Sequence, residues 1–138
     1  MAIQQLTPYL NFDGTAAQAI ALYERALGAK TEGLQRFGDM PGSTPEAASR
    51  VLHAMLRIGA GMLMISDTQP GTPFVAGSNV HVCLDFDDAD EMGKKFDALA
   101  AGGQVTMPLQ DTFWGARFGM AIDAYGIHWM FNCTLKKS

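Results

Sequence analysis

The second half of this chain repeats the plan of the first. Leu10, Phe12, Asp13, Ala26 and Gly28 recur as Leu84, Phe86, Asp87, Ala100 and Gly102, each pair 74 positions apart. Each set brackets a stretch of helical periodicity lying between a strand-like run and a glycine stop. A recurrence of this length marks one supersecondary unit used twice. Repeat 1 spans about residues 3–67 and repeat 2 about residues 78–135, joined by a Pro/Gly-rich linker over 68–77. Two copies of a small unit in one domain of 138 residues also make a natural concave site between them.

Within each repeat the periodicity predicts the same element order. Residues 6–12 alternate as a strand, and Asp13-Gly14-Thr15 offers N-cap oxygens to a following helix. Ala16, Ala19, Ile20, Tyr23 and Leu27 form one helical stripe, and Gly28 can take the left-handed turn that ends it. Strands follow near 30–37, 50–58 and 62–66, with Gly59-Ala60-Gly61 as a hairpin signal. Repeat 2 restarts with a strand at 79–86. Asp88 and Glu91 then offer a capping box, ahead of the stripe Ala89, Met92, Phe96 and Leu99. Strands near 104–109, 116–122 and 127–134 complete it, with Asp123-Ala124-Tyr125-Gly126 as the turn. The expected class is therefore α+β, two tandem βαβββ modules.

Alternation assigns faces to these strands. The apolar sets must be buried under a helix. The opposite sets hold Tyr9, Asn11, His53, Met55, Arg57, His81, Cys83, Asp85, His128, Met130 and Asn132, including all three histidines. Apolar side chains spotted with a few polar groups suit the lining of a ligand cavity; a partly solvated outer face is the alternative.

Bulk properties exclude several classes. A net charge of −4, with no basic cluster beyond Lys136-Lys137, argues against nucleic acid and anionic membranes as partners. No apolar run reaches the length of a membrane span. Met1-Ala2-Ile3-Gln4-Gln5 lacks the pattern of a signal peptide, so a cytoplasmic location is expected. Cys83 and Cys133 form no CxxC and are expected to be buried, reduced thiols. A Walker loop, a GxSxG and an HExxH are all missing from the chain.

Several motifs carry a family resemblance. They include Leu6-Thr7-Pro8-Tyr9-Leu10-Asn11-Phe12, Arg36-Phe37-Gly38-Asp39-Met40-Pro41, His53-Ala54 running to Arg57-Ile58-Gly59, and Met64-Ile65-Ser66-Asp67. Asp111-Thr112-Phe113-Trp114-Gly115, Phe118-Gly119 and Trp129-Met130 complete the set. Together they resemble the vicinal oxygen chelate superfamily, which includes glyoxalase I, bleomycin-resistance proteins and extradiol dioxygenases, and within it the PhnB-like branch. The resemblance implies a curved, cup-like mixed sheet, a homodimer, and often a divalent metal that chelates adjacent substrate oxygens.

By that resemblance the metal positions fall on Thr7, Ile65, His81 and Met130. Of these four only His81 is a good ligand for Zn²⁺, Ni²⁺ or Mn²⁺, so no resident cofactor is expected. A metal-dependent lyase, isomerase or dioxygenase would have to recruit His81 with non-standard partners: His53 or His128, plus Asp67 or Asp85. The leading expectation is a small-molecule binder of unproven activity, with Tyr9, His53, His81, Trp114, His128 and Met130 as cavity residues. Each also has a structural reading: hydrogen-bonded histidines on a sheet face, core packing of Trp114 beside Phe113 and Phe118, and methionine as a gap-filler. Arg117 is expected on the opposite face, in an ion pair.

Overall fold

The computed structural model describes residues 2–135. The chain divides into two units, Met1–Val75 and Ala76–Ser138. The first contains β1 (Tyr9–Phe12), α1 (Ala16–Leu27), β2 (Lys30–Arg36), a single 3-10 turn at Phe37–Asp39, β3 (Val51–Ile58) and β4 (Gly61–Asp67). The second contains β5 (Val82–Phe86), α2 (Ala89–Ala100), β6 (Gln104–Asp111), β7 (Ala116–Ile122) and β8 (His128–Thr134). Each unit is thus a βαβββ module with its own four-stranded mixed sheet, ordered β1-β4-β3-β2 and β5-β8-β7-β6. The first strand of each module runs parallel to the last, and the other pairs are antiparallel.

One helix covers one face of each sheet. In the first unit Ala16, Ala19, Ile20, Tyr23, Ala26 and Leu27 are buried, along with Phe12, Val51, Ala54, Leu56, Leu63 and Ile65 of the strands. In the second, Met92, Phe96 and Leu99 join Trp129, Phe131 and Cys133. The Phe131 ring stacks on Phe86 with centroids 5.6 Å apart and meets Phe96 edge-on at 5.1 Å. Aromatic pairs at such separations add to the burial of apolar area itself.

The helix starts differ from the sequence expectation. Thr15 occupies the N-cap of α1 but makes no side-chain capping bond, and Asp13 pairs instead with Arg50 at 2.8 Å. The cap comes from the end of β4. Asp67 Oδ1 accepts the Gly14 and Ala16 amides at 2.8 and 3.0 Å, and its Oδ2 accepts the Val51 amide at 2.8 Å. In α2 the local cap is made: Asp88 Oδ1 accepts the Asp90 and Glu91 amides. Glu91 itself extends along the helix towards Lys95, 3.7 Å away, rather than completing a box. Gly28 ends α1 in the left-handed region, as expected.

Two strand starts lie further along than the alternation suggested. β1 begins at Tyr9, where the Pro8 carbonyl accepts the Met64 amide; Pro8 has no N–H to give to a ladder. Leu6 is 86% exposed. β5 begins at Val82 rather than 79.

The turn between β7 and β8 is organised by a second buried carboxylate. Asp123 Oδ1 accepts the Tyr125 and Ile127 amides, while Oδ2 accepts the indole N–H of fully buried Trp129 at 2.8 Å. No helix of the described residues is long and apolar enough to cross a membrane.

Candidate functional site

Strand register sorts the side chains of each sheet onto two faces, because directly paired residues share a face. Ala54, Leu56 and Ile65 lie on the helix-covered face of the first sheet, and Trp129, Phe131 and Cys133 on that of the second. The other face of each sheet has no helix on it, and most of the predicted cavity residues sit there.

In the first unit that face carries Tyr9 beside Met64, Met64 beside Met55, and Met55 beside Glu32. The Tyr9 hydroxyl lies 2.9 Å from His53 Nδ1, and the two rings tilt together with centroids 5.8 Å apart. A phenol held on an imidazole fixes the position of both side chains.

In the second unit His81 and His128 meet edge to face, 5.3 Å between centroids. Met130 stands between Cys83 on β5 and Met120 on β7. Next to them the Asn132 amide donates to Asp85 Oδ1 at 3.1 Å. The structure therefore gathers Tyr9 with His53, and His81 with His128 on the sheet that also bears Met130.

Trp114 belongs to the β6–β7 connection. It is 58% exposed and Phe113 is 97% exposed, so these rings form an aromatic tip rather than core. Trp114 meets Phe113 edge-on at 5.0 Å and Phe118 at 6.2 Å. Arg117 lies opposite Cys133, on the helix-covered side, and pairs with Asp111 at 2.8 Å as expected. That hydrogen bond and the Asp111 charge raise its pKa.

The expectation for the cysteines holds for Cys133, which is buried, and fails for Cys83, which is exposed. Val82, Leu84 and Phe86 are the better-covered residues of β5, which turns Cys83 and Asp85 to the open face. Partial burial of the sulfur, and then the Asp85 carboxylate, push the Cys83 thiol pKa upwards.

These residues do not fit the divalent centre of glyoxalase-type proteins. Ile65 is fully buried between Leu10 and Ala54, so its side chain is turned away from the open face. By register, the first-unit counterpart of Met130 is Met64. Thr7 Oγ1 accepts from Gln5. The regrouped set does not assemble either. Asp67 is committed to three backbone amides, Asp85 is bonded to Asn132, and no three His, Cys, Asp or Glu side chains converge among the described residues.

A further concavity of about 430 Å³ opens in the first unit, lined by Phe37, Met40, Ala47, Leu52, Gln69 and Pro70 among others. Its size lies within the range of small-molecule pockets. No candidate from the sequence lines it. The Gly/Pro-rich run 38–45 marked only a loop, and nothing local shows that such a loop folds back over Leu52 and Pro70.

Two helix-backed βαβββ modules, each leaving an open face set with methionine, histidine and aromatic residues, define a tandem-module protein of the vicinal oxygen chelate type. The model of the Glyoxalase/Bleomycin resistance protein/Dioxygenase superfamily matches residues 5–131, and the chain belongs to that superfamily. Protein YjdN of Escherichia coli is 36% identical over 138 residues, covering 92% of this chain and 93% of YjdN. Protein PA1353 from Pseudomonas aeruginosa has the same fold with a TM-score of 0.88 and 38% identity, over 97% of this chain and 100% of that one. The PhnB protein from Bacillus cereus superposes with a TM-score of 0.80 at 23% identity, over 94% and 99% of the two chains, and shares the fold.

Proposed function

We propose that this protein binds a small organic molecule against the helix-free faces of its sheets, without a resident divalent metal. The observation that carries this reading is the pairing of polar groups within a methionine-rich surface. Tyr9 is held on His53 beside Met64 and Met55, and His81 meets His128 beside Met130. Flexible thioethers adapt to an apolar ligand, and the few polar groups orient it. The aromatic tip at Trp114 supplies a stacking surface.

A thermal-shift screen of planar aromatics, phosphonates and antibiotics tests this. A bound compound raises the unfolding midpoint by mass action. Met130→Ala and Trp114→Ala are each expected to weaken a true ligand about tenfold, equivalent to ~1.4 kcal/mol. A compound whose shift survives both changes but is lost in Leu52→Ala would place the ligand in the loop-lined concavity and overturn the assignment.

The same reading includes a homodimer in a reducing, cytoplasmic setting. Ile3, Leu6, Val75, Val80 and Phe113 are between 75% and 97% exposed, and taking such large apolar side chains out of water favours association. Light scattering behind a sizing column is expected to give twice the chain mass, and Phe113→Asp with Leu6→Asp to shift it towards one chain. A monomer across the micromolar range removes the dimer from the proposal.

A further inference from the structure

The open face of the second sheet carries an unbroken row of sulfur. Register places Cys83 of β5 directly beside Met130 of β8, Met130 beside Met120 of β7, and Met120 beside Met107 of β6. All four strands of the sheet contribute one sulfur at the same level. The corresponding row of the first sheet is Tyr9, Met64, Met55 and Glu32, so only the second row carries sulfur at both edge positions. The row does not serve the core: Cys83 is exposed and the three methionines are half-buried. The buried thiol, Cys133, lies on the opposite side of the same sheet.

Neighbouring strands lie about 4.8 Å apart, and a methionine is unbranched, so rotation about its Cα–Cβ and Cβ–Cγ bonds swings its sulfur. Adjacent members of the row can therefore turn their sulfurs onto a common point. The donor chemistry then decides what that point could hold. Hard and borderline divalent ions want carboxylates and imidazoles in threes and fours, and no three such groups converge among the described residues. Soft thiolate and thioether donors favour monovalent copper, whereas zinc and iron–sulfur centres ask for more thiolates or imidazoles than this row of one cysteine and three methionines offers.

We propose that this row is a soft-metal site for Cu(I), with the Cys83 thiolate and the Met130 and Met120 thioethers as donors. Binding forms one sulfur–copper bond at Cys83 as its proton leaves to solvent. The thioethers donate lone pairs without losing a proton, and the copper keeps its oxidation state. The edge-to-face pair of His81, just ahead of β5, and His128, at the start of β8, stands next to the row and offers imidazole nitrogen at the rim. Met107, on the edge strand whose register shifts on both sides of it, is the outermost member and contributes least.

The test is an anaerobic titration of the reduced, untagged protein with Cu(I) in competition with bicinchoninate. One equivalent is expected to be retained per chain, with copper–sulfur scattering in the X-ray absorption spectrum. Met130→Leu and Met120→Leu keep side-chain volume and are each expected to weaken retention at least tenfold. Cys83→Ser, an exposed change, is expected to weaken it a hundredfold or more. Met64→Leu, the first-unit counterpart, is expected to leave it unchanged, and circular dichroism of each variant verifies folding. Failure to retain copper overturns the proposal. So does retention lost in Cys83→Ser but untouched by both methionine changes, because a lone thiol would then explain it.

Discussion

Replacing Asp67 with alanine is expected to destabilise the first unit by about 3–5 kcal/mol, a large share of the roughly 5–15 kcal/mol that holds a domain folded. The carboxylate is 3% exposed and accepts three backbone amides, from Gly14, Ala16 and Val51. It joins three separate pieces of chain: the end of β4, the start of α1 and the start of β3. Alanine leaves three amide hydrogens without this acceptor, and a buried donor left unmade costs about 1–3 kcal/mol. Asp67→Asn separates charge from geometry. It retains one oxygen for Gly14 and Ala16 but turns an NH₂ towards the Val51 amide, so its cost should be about half. Asp88→Ala, the same kind of cap at an exposed site, should cost about 1 kcal/mol. Urea titrations give these differences as midpoint shifts at constant slope. Equal costs for Asp67→Ala and Asp88→Ala would show that burial and chain-crossing add nothing to this cap.

The architecture was legible because two copies of one pattern corroborate each other. The helical stripes, the Gly28 stop, the turn at Asp123–Gly126 and the split of His53, His81, His128 and Met130 from the buried set all follow from period and turn chemistry. What escaped has a common cause, namely partners distant along the chain. The acceptor that starts α1 lies 51 residues beyond Ala16, so the local Asp13-Gly14-Thr15 signal pointed to the wrong oxygen. Alternation sets Cys83 opposite Leu84 and so on the open face, where the general tendency of free cysteine to be buried does not hold.

The sulfur row was hidden by register. Shifts on either side of Met107 break the period of two in β6, and only strand pairing reveals that Met107 faces Met120. The same long-range pairing explains why Ile65 could be matched by motif to a metal position yet face the core. A one-residue displacement in a strand changes the face of every side chain, and Met64 is the residue on the open side. Function is legible only to the level of the superfamily, since one scaffold hosts many chemistries through the residues on its faces.

Gly102 and Gly103 both follow the Ala101 cap of α2, yet the structure ranks them sharply. Gly102 takes the left-handed turn with φ 80°, and a Cβ there would meet Ala124 Cβ at an ordinary 3.5 Å. Gly102→Ala should therefore cost only the backbone penalty, about 1–2 kcal/mol. A Cβ on Gly103 would run into the Ile122 carbonyl oxygen and lie 2.8 Å from the Asp123 carbonyl carbon and 3.0 Å from the Ala124 nitrogen. All three are backbone atoms, so no side chain can rotate away. The obstructed segment is also the turn in which Asp123 holds the Tyr125 and Ile127 amides and the Trp129 indole. Relief of the clash must displace that turn or the end of α2, whose Ala100 carbonyl accepts the Gly103 amide at 2.9 Å. Overpacking against a fixed neighbour commonly costs 1–3 kcal/mol, and with backbone on both sides Gly103→Ala is expected at about 3 kcal/mol or more. In a Trp114→Phe background the remaining tryptophan is Trp129, buried and bonded to Asp123, so its emission should shift to the red in Gly103→Ala and stay in place in Gly102→Ala. A larger stability loss for Gly102→Ala, or an unmoved Trp129 emission in Gly103→Ala, would mean that the α2 terminus does not bear on the Asp123 turn.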